Sequence, residues 1–254
     1  MNIKTSDEIK LMRKSGHIAA DILDKLIKKV KPGIKTIQIE NLAQNLIDKY
    51  KVLGAFKNYQ NYPYNTCISI NEEIVHGLPS EKVIKENDIV SIDFGVRYKG
   101  YNSDNAITIC LDKNSKIKNK LVNETKESLH QAINIIKPGI KLGYVQNSIY
   151  QYLNKQKLTV IKDLTGHFIG KKLQEFPSIP NYGNPNSGIA LKEGMTFCLE
   201  PMTSLGSDKI LIKKDGWIIT TRDKSLSAHF EHTILVTKNG CEILTKNPSK
   251  YWPK

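Results

Sequence analysis

Ile84-Lys85-Glu86-Asn87-Asp88-Ile89-Val90-Ser91-Ile92-Asp93 returns 107 residues later as Leu191-Lys192-Glu193-Gly194-Met195-Thr196-Phe197-Cys198-Leu199-Glu200. Each copy reads as a polar turn, an alternating apolar strand and a carboxylate, so Asp93 pairs with Glu200. Upstream, Lys31-Pro32-Gly33-Ile34-Lys35 recurs as Lys137-Pro138-Gly139-Ile140-Lys141 at an offset of 106, each time joining two helical patterns. A further carboxylate, Asp104 or Glu231, follows each copy on a later strand pattern. The repeat predicts an α+β fold of two halves related by a pseudo-twofold, with polar residues meeting where the halves face each other.

Those polar residues are Asp93 and Asp104 from one half and His167, Glu200 and Glu231 from the other. A single acid at a strand end is ordinary surface chemistry. Here the acids fall inside strongly apolar runs at matched places, where a carboxylate needs a partner or a cation. Four carboxylates and one imidazole suit a pair of catalytic divalent ions.

Local patterns fill in the rest. Thr5 with Glu8 forms a capping box, and Ile9, Met12, Ala19, Ile22, Leu23, Leu26 and Val30 keep helical spacing up to Pro32-Gly33. Thr36 is placed to cap a second helix carrying Ile39, Leu42, Ala43, Leu46, Ile47 and Tyr50. Two more helices are predicted at about 119–136 and 142–155 by the same periodicity. Tyr98-Lys99-Gly100 punctuates two alternating segments, 89–97 and 101–110, and predicts a β-hairpin with Asp93 and Asp104 on adjacent strands. Carboxylates about 5 Å apart across such a pair repel unless a cation lies between them. The run from Tyr59 to Pro79, rich in Tyr, Asn and Pro, reads as an irregular connection.

At 254 residues, with no linker-like run, the chain is expected to form one domain spanning 1–254. Its net charge of +13 is almost all lysine, with only Arg13, Arg97 and Arg222 as arginines. That charge suits an anionic neighbour such as a ribosome surface, but scattered lysines argue against specific DNA binding. Cys67, Cys110, Cys198 and Cys241 form no CxxC pair and read as reduced, buried thiols. The start, Met1 to Glu8, lacks the apolar core of a signal peptide, and no run approaches a membrane span. A cytoplasmic monomer is expected.

Several motifs together resemble one family, the type I methionine aminopeptidases of peptidase family M24, whose architecture is the pita-bread fold. They are Cys67-Ile68-Ser69-Ile70-Asn71 with His76-Gly77-Leu78-Pro79, Asp93 and Asp104 eleven apart, Thr165-Gly166-His167, Phe197-Cys198-Leu199-Glu200-Pro201-Met202, and Ser225-Leu226-Ser227-Ala228 through Glu231-His232-Thr233. The resemblance implies a curved antiparallel sheet backed by helices and two divalent ions drawn from Co, Mn, Fe, Zn or Ni. It implies Asp93 as a terminal ligand of one ion, His167 and Glu200 as ligands of the other, and Asp104 and Glu231 as bridges. It further implies Glu200 as proton shuttle and His76 as the imidazole that contacts the peptide at the scissile bond. By correspondence, Phe56, Tyr59, Tyr62, Cys67, Leu173 and Trp217 form an apolar pocket for a methionine side chain. The expected activity is removal of initiator methionine from nascent polypeptide N-termini, preferring a small second residue. A proline-directed peptidase of the same fold, and a weakly active or non-catalytic interaction paralogue, are the alternatives.

The chain departs from the pattern at three places. Gln174 stands where a second histidine usually stabilises the tetrahedral oxygen, and Phe168 stands where glycine is usual. His229 occupies a position that is usually glutamine. Two residues before Glu231, on a strand it points to the same face. Gln174 and His229 are therefore expected to have exchanged places around the metals, both remaining in the catalytic set and Gln174 also in the substrate-binding set.

Overall fold

The Thr5 hydroxyl accepts the Glu8 N–H at 3.3 Å and the Glu8 carboxylate accepts the Thr5 N–H at 2.8 Å, the expected capping box. In the computed structural model, which describes residues 3–246, this box opens helix α1 (Ser6–Lys29). The ends of the expected 1–254 domain, including Met1 and Asn2 of the leader reading, lie outside the described residues. Helix α2 (Thr36–Tyr50) forms as expected but is not capped by Thr36. Lys35 holds the cap position and its N–H bonds Gln38 Oε1 at 3.0 Å. The Thr36 hydroxyl is engaged elsewhere, donating to the Ser80 carbonyl at 3.0 Å and accepting the Ser80 N–H at 2.8 Å. Helices α3 (Lys116–Asn134) and α4 (Leu142–Lys155) are their counterparts in the second half.

The strands follow in chain order as β1 (Leu53–Gly54), β2 (Thr66–Ile70), β3 (Glu73–Val75), β4 (Ile89–Tyr98), β5 (Tyr101–Cys110), β6 (Thr159–Val160), β7 (Thr165–Phe168) and β8 (Glu175–Pro180). After these come β9 (Thr196–Leu199), β10 (Met202–Ser204), β11 (Ile210–Ile212), β12 (Ile219–Thr221), β13 (Ser227–His229), β14 (Glu231–Val236) and β15 (Cys241–Ile243). The main sheet is antiparallel and nine-stranded, in the order β1-β4-β5-β14-β9-β7-β8, with β2 on β4 and β15 on β14. Two three-stranded sheets, β13-β10-β6 and β11-β12-β3, complete it.

The pseudo-twofold is visible in matched bonds. Gly33 N–H bonds the Ile84 carbonyl and Gly139 N–H bonds the Leu191 carbonyl, both at 2.9 Å. Isolated bridges join Lys35 to Val83 and Lys141 to Ala190. Both glycines sit at φ near +88°, a conformation open to glycine at no steric cost. In the sheet, β4 and β9 flank the central β5–β14 pair, so equivalent strands occupy equivalent places about its middle.

One face of the sheet packs under all four helices. Ile92 and Phe94 of β4, Phe168 of β7, Phe197 of β9 and Ile234 of β14 join Ile22, Leu26, Ile39, Leu129 and Ile149 in one buried core. Each fully buried side chain of this size contributes roughly 1.5–3 kcal/mol. Alternation leaves Asp93, Asp104, Glu231 and His167 on the opposite face.

Three expectations are corrected here. The Tyr59–Pro79 run is not irregular throughout, since it contains β2 and β3. The fully buried Thr66-Cys67-Ile68-Ser69-Ile70 pairs residue by residue with β4, a long-range pairing that the surrounding Tyr, Asn and Pro hide in the local pattern. The strand through His229 and Glu231 is also not continuous. It breaks at Phe230, placing His229 in the small β13-β10-β6 sheet and Glu231 in the main one. Finally, only Cys67 and Cys198 are buried. Cys110 and Cys241, at strand ends, are half-buried, and all four thiols are free. Among the described residues no helix is long and apolar enough to cross a membrane.

Candidate metal centre

The expected hairpin forms with Lys99 and Gly100 at its tip, both at positive φ, the form of turn that matches the twist of the flanking strands. Its register pairs Asp93 with Ala106 and Gly95 with Asp104, so the two acids are diagonal neighbours rather than directly opposite. Glu231 of β14 also pairs with Ala106, from the other side. A methyl group therefore separates Asp93 from Glu231, and space is left above it. Continuing across the sheet, Cys198 pairs with both Thr233 and His167. Glu200 follows the end of β9 and lines the same cavity as the other acids. The repeat thus carries the acids to one patch, and the central β5–β14 pair joins the two halves of it.

Hydrogen bonds fix this patch from behind. The Thr233 hydroxyl accepts the Asp104 N–H at 2.8 Å and donates to the Asp104 carbonyl at 2.7 Å. Asn181 donates to the Glu200 carbonyl at 2.9 Å. His167 Nδ1 lies 3.0 Å from the Phe168 carbonyl. A carbonyl can only accept, so that contact puts the proton on Nδ1 and leaves the Nε2 lone pair free. His167 Nε2 is 3.6 Å from Glu200 Oε1, and His229 Nε2 is 3.5 Å from Glu200 Oε2 and 4.0 Å from Glu231 Oε2.

Asp104, His167, Cys198 and Glu231 each offer an atom within 4.8 Å of the others, as do Glu200, His229 and Glu231. Asp93 Oδ1, Glu231 Oε1 and His229 Nε2 are buried without a hydrogen-bond partner. Buried carboxylate oxygens left unpaired are costly, and a divalent cation among them removes the cost. The donor set fits such an ion on this ground.

The electrostatics agree. Burial, reinforced by neighbouring carboxylates, raises Asp104, Glu200 and Glu231 well above the usual carboxylate range, and burial lifts Asp93 to about 6. Burial pushes His167 down to about 4 and also lowers His229, so both imidazoles are neutral near pH 7. Without metal, the folded cluster holds protons that the unfolded chain, titrating at about 4, has lost. Metal-free stability therefore falls as pH rises from about 4 through the Asp93 value of about 6. A bound dication favours the ionised cluster and reverses that trend. His167 stays neutral in both states and drops out of the difference. The gap in Tm between metal-loaded and chelator-stripped protein is expected to widen from pH 5 to pH 8 in thermal scans, and a gap independent of pH would contradict it.

Of the residues singled out in the sequence, all but Phe168 line one cavity of about 280 Å³: Phe56, Tyr59, Tyr62, Cys67, Leu173 and Trp217 with His76, Gln174, His229 and the five expected ligands. Tyr62 and Trp217 meet edge to face at 5.0 Å, and the His76 ring stands edge to face with Trp217 at 6.5 Å. His76 adopts φ +59°, an uncommon conformation for a bulky residue, of the kind found where geometry serves function. Burial, with the nearby His229, pushes its pKa down to about 4. Gly95 faces this wall, and a Cβ there would lie 2.9 Å from the Phe56 ring, so the absent side chain makes room for it.

Phe168 is different. Its ring packs on Phe197 at 5.5 Å in the helix-backed core, on the far side of the sheet from His167. Its departure from the family pattern is a matter of core packing, not of the site. The sequence reading also missed the cavity residues Gln60, Val75, Asp163 and Leu164, and gave no site role to Thr165 and Met202 of its quoted motifs. Asp163, Leu164 and Thr165 immediately precede Gly166-His167, and that adjacency was the available signal. Glu40 was missed too. This buried helix residue accepts the Asn65 and Thr66 N–H groups at 2.9 and 3.0 Å, with both their side chains, and so pins the start of β2.

Known proteins are similar to this chain in sequence and in fold. A methionine aminopeptidase of Mycoplasma capricolum is 41% identical over 97% of this chain and 98% of its own. Methionine aminopeptidase 1 of Bacillus subtilis is 39% identical over 96% of this chain and 98% of its own. The crystal structure of the Thermotoga maritima methionine aminopeptidase superposes with a TM-score of 0.96 at 46% identity, covering 97% of this chain and all of that one. Prolidase from Pyrococcus furiosus, at 24% identity and a TM-score of 0.78, shares the fold alone. The sequence model of metallopeptidase family M24 matches residues 10–238. With that match, and with near-full-length relatives of about 40% identity, the chain belongs to metallopeptidase family M24, in its methionine aminopeptidase branch, and has the pita-bread fold.

Proposed function

We propose that this metallopeptidase removes the initiator methionine from nascent proteins, preferring a small second residue. The observation that carries the reading is the unpaired buried carboxylates at the floor of a cavity whose walls are aromatic. Two divalent ions are proposed, with Asp93 holding one, His167 and Glu200 the other, and Asp104 and Glu231 shared between them. When bound, such a pair activates water at neutral pH and polarises a carbonyl.

The chain's own residues supply the rest. Phe56, Tyr59, Tyr62, Cys67, Leu173 and Trp217 take the flexible thioether side chain and exclude water from it. Glu200, ionised when the cluster holds cations, accepts the proton of the attacking water and returns it to the leaving amine. His76, neutral at pH 7, bonds the peptide beside the scissile bond. Gln174 donates a neutral N–H to the carbonyl oxygen as it gains charge. The protein is proposed to act as a cytoplasmic monomer close to the ribosome, for which the net charge of +13 is the support.

A proline-directed specificity is the competing reading. With Mn, Fe or Co added in turn, Met-Ala-Ser is expected to be cleaved and an X-Pro peptide left intact. Cleavage of the X-Pro peptide instead would move the assignment to that branch, and cleavage of neither by metal-loaded protein would favour a non-catalytic role.

A further inference from the structure

His229 stands in the cluster without a partner that explains it. Its side chain is 2% exposed, and its Nε2 is buried with no hydrogen bond. The backbone is locked in place, since the Thr108 hydroxyl accepts the His229 N–H at 2.9 Å and donates to the His229 carbonyl at 2.6 Å. Ser91 Oγ in turn lies 2.7 Å from Thr108 Oγ1. The ring is therefore presented by a rigid support, and it points between two acids.

The distances come close to those between two ligands of one ion, with the Glu231 oxygen somewhat farther out. Two atoms each about 2.1 Å from a cation, at tetrahedral or octahedral angles, lie roughly 3–3.5 Å from each other. His167 Nε2 is 3.6 Å from one oxygen of Glu200, and His229 Nε2 is 3.5 Å from the other. Glu200 thus has an imidazole nitrogen beside each oxygen at nearly equal range. Glu231 Oε2, at 4.0 Å from His229 Nε2, closes a triangle of possible donors.

We propose that His229 coordinates a metal ion directly through Nε2, giving this site two imidazole ligands where the five-residue set supplies one. The proposal rests on the two-metal reading of the cavity. It assigns His229 to the metal rather than to the reacting carbonyl, so the expected exchange with Gln174 is one of position and not of role. A second nitrogen donor also moves preference away from Mn and toward Co, Ni and Zn.

The test counts imidazoles. X-ray absorption at the cobalt edge, on protein loaded with two equivalents of Co, is expected to show scattering from two imidazoles per protein. The His229→Gln variant is expected to show one, and to bind one of its two Co ions at least about tenfold less tightly in calorimetry. A loss of affinity alone would also follow if His229 only held Glu200 in place, so the count decides. One imidazole in both proteins overturns the proposal and leaves the two-metal reading intact. Failure of the unaltered protein to bind Co at all would instead remove the two-metal reading itself. His229→Ala, read by the same count, covers the case in which the glutamine variant does not fold.

Discussion

Glu200→Gln is expected to lower kcat for Met-Ala-Ser by about 10²- to 10⁴-fold, the range typical of a lost general base. The amide keeps the size of the side chain and one acceptor oxygen, but it cannot take a proton. It also removes a negative charge beside His167 and His229, whose nitrogens lie 3.6 and 3.5 Å away, so metal must be supplied to saturation before rates are compared. KM should change little, because the proton moves only as the bond breaks. An independent readout separates this role from structural damage. In the metal-free protein Glu200 is one of four crowded, buried acids, with a carboxyl held well above its ordinary range by burial and by Asp93. Replacing it with a neutral group relieves that repulsion, and the stripped variant is expected to melt above the stripped unaltered protein near pH 8. A variant that keeps more than a tenth of the original kcat at saturating metal would show that Glu200 is not the proton acceptor.

Gln174→Ala is expected to cost roughly 100- to 1000-fold in kcat, the usual price of removing one well-aimed donor to a developing negative charge. The loss should fall on kcat and spare KM, since the bond strengthens only in the transition state. The loop that carries Gln174 is held firmly enough for this. Lys4, 2% exposed, pairs with Glu175 at 3.1 Å, and the Asn102 side chain donates to the Gly170 and Lys171 carbonyls at 3.0 Å. Gln174→His restores the imidazole expected from the family pattern and should retain or raise kcat. If Gln174→Ala turns over at the original rate, the donor is another group on the same wall, and His76 is the nearest candidate by role.

The convergence of the carboxylates on one cavity was legible because their signals are local or repeated. Asp93 and Glu200 close matched copies of a turn and strand, and Asp104 lies one hairpin away across a turn whose residues announce it. Phe168 and His229 were not legible in the same way. A phenylalanine after the histidine of Thr165-Gly166-His167 looks like an intrusion into the site, but alternation in β7 sends its ring into the helix-backed core. His229 does reach the acids, yet not along a continuous strand with Glu231. It comes from a separate sheet after the break at Phe230, held by Thr108 of β5.

The sequence by itself determined the two halves, the helix pairs, the hairpin and the identity of five metal-type residues. All of these follow from periodicity, turn chemistry and repetition within the chain. Only the tertiary structure decided how the halves meet. The pairing of β5 with β14 sets Ala106 between Asp93 and Glu231, and the hold of Thr108 on the His229 backbone leaves His229 Nε2 facing two carboxylates. Those outcomes depend on register between strands more than a hundred residues apart. A slip of two residues would keep every face, and so satisfy the same alternation, while carrying Glu231 away from Ala106; the local pattern that sets the faces leaves this register open.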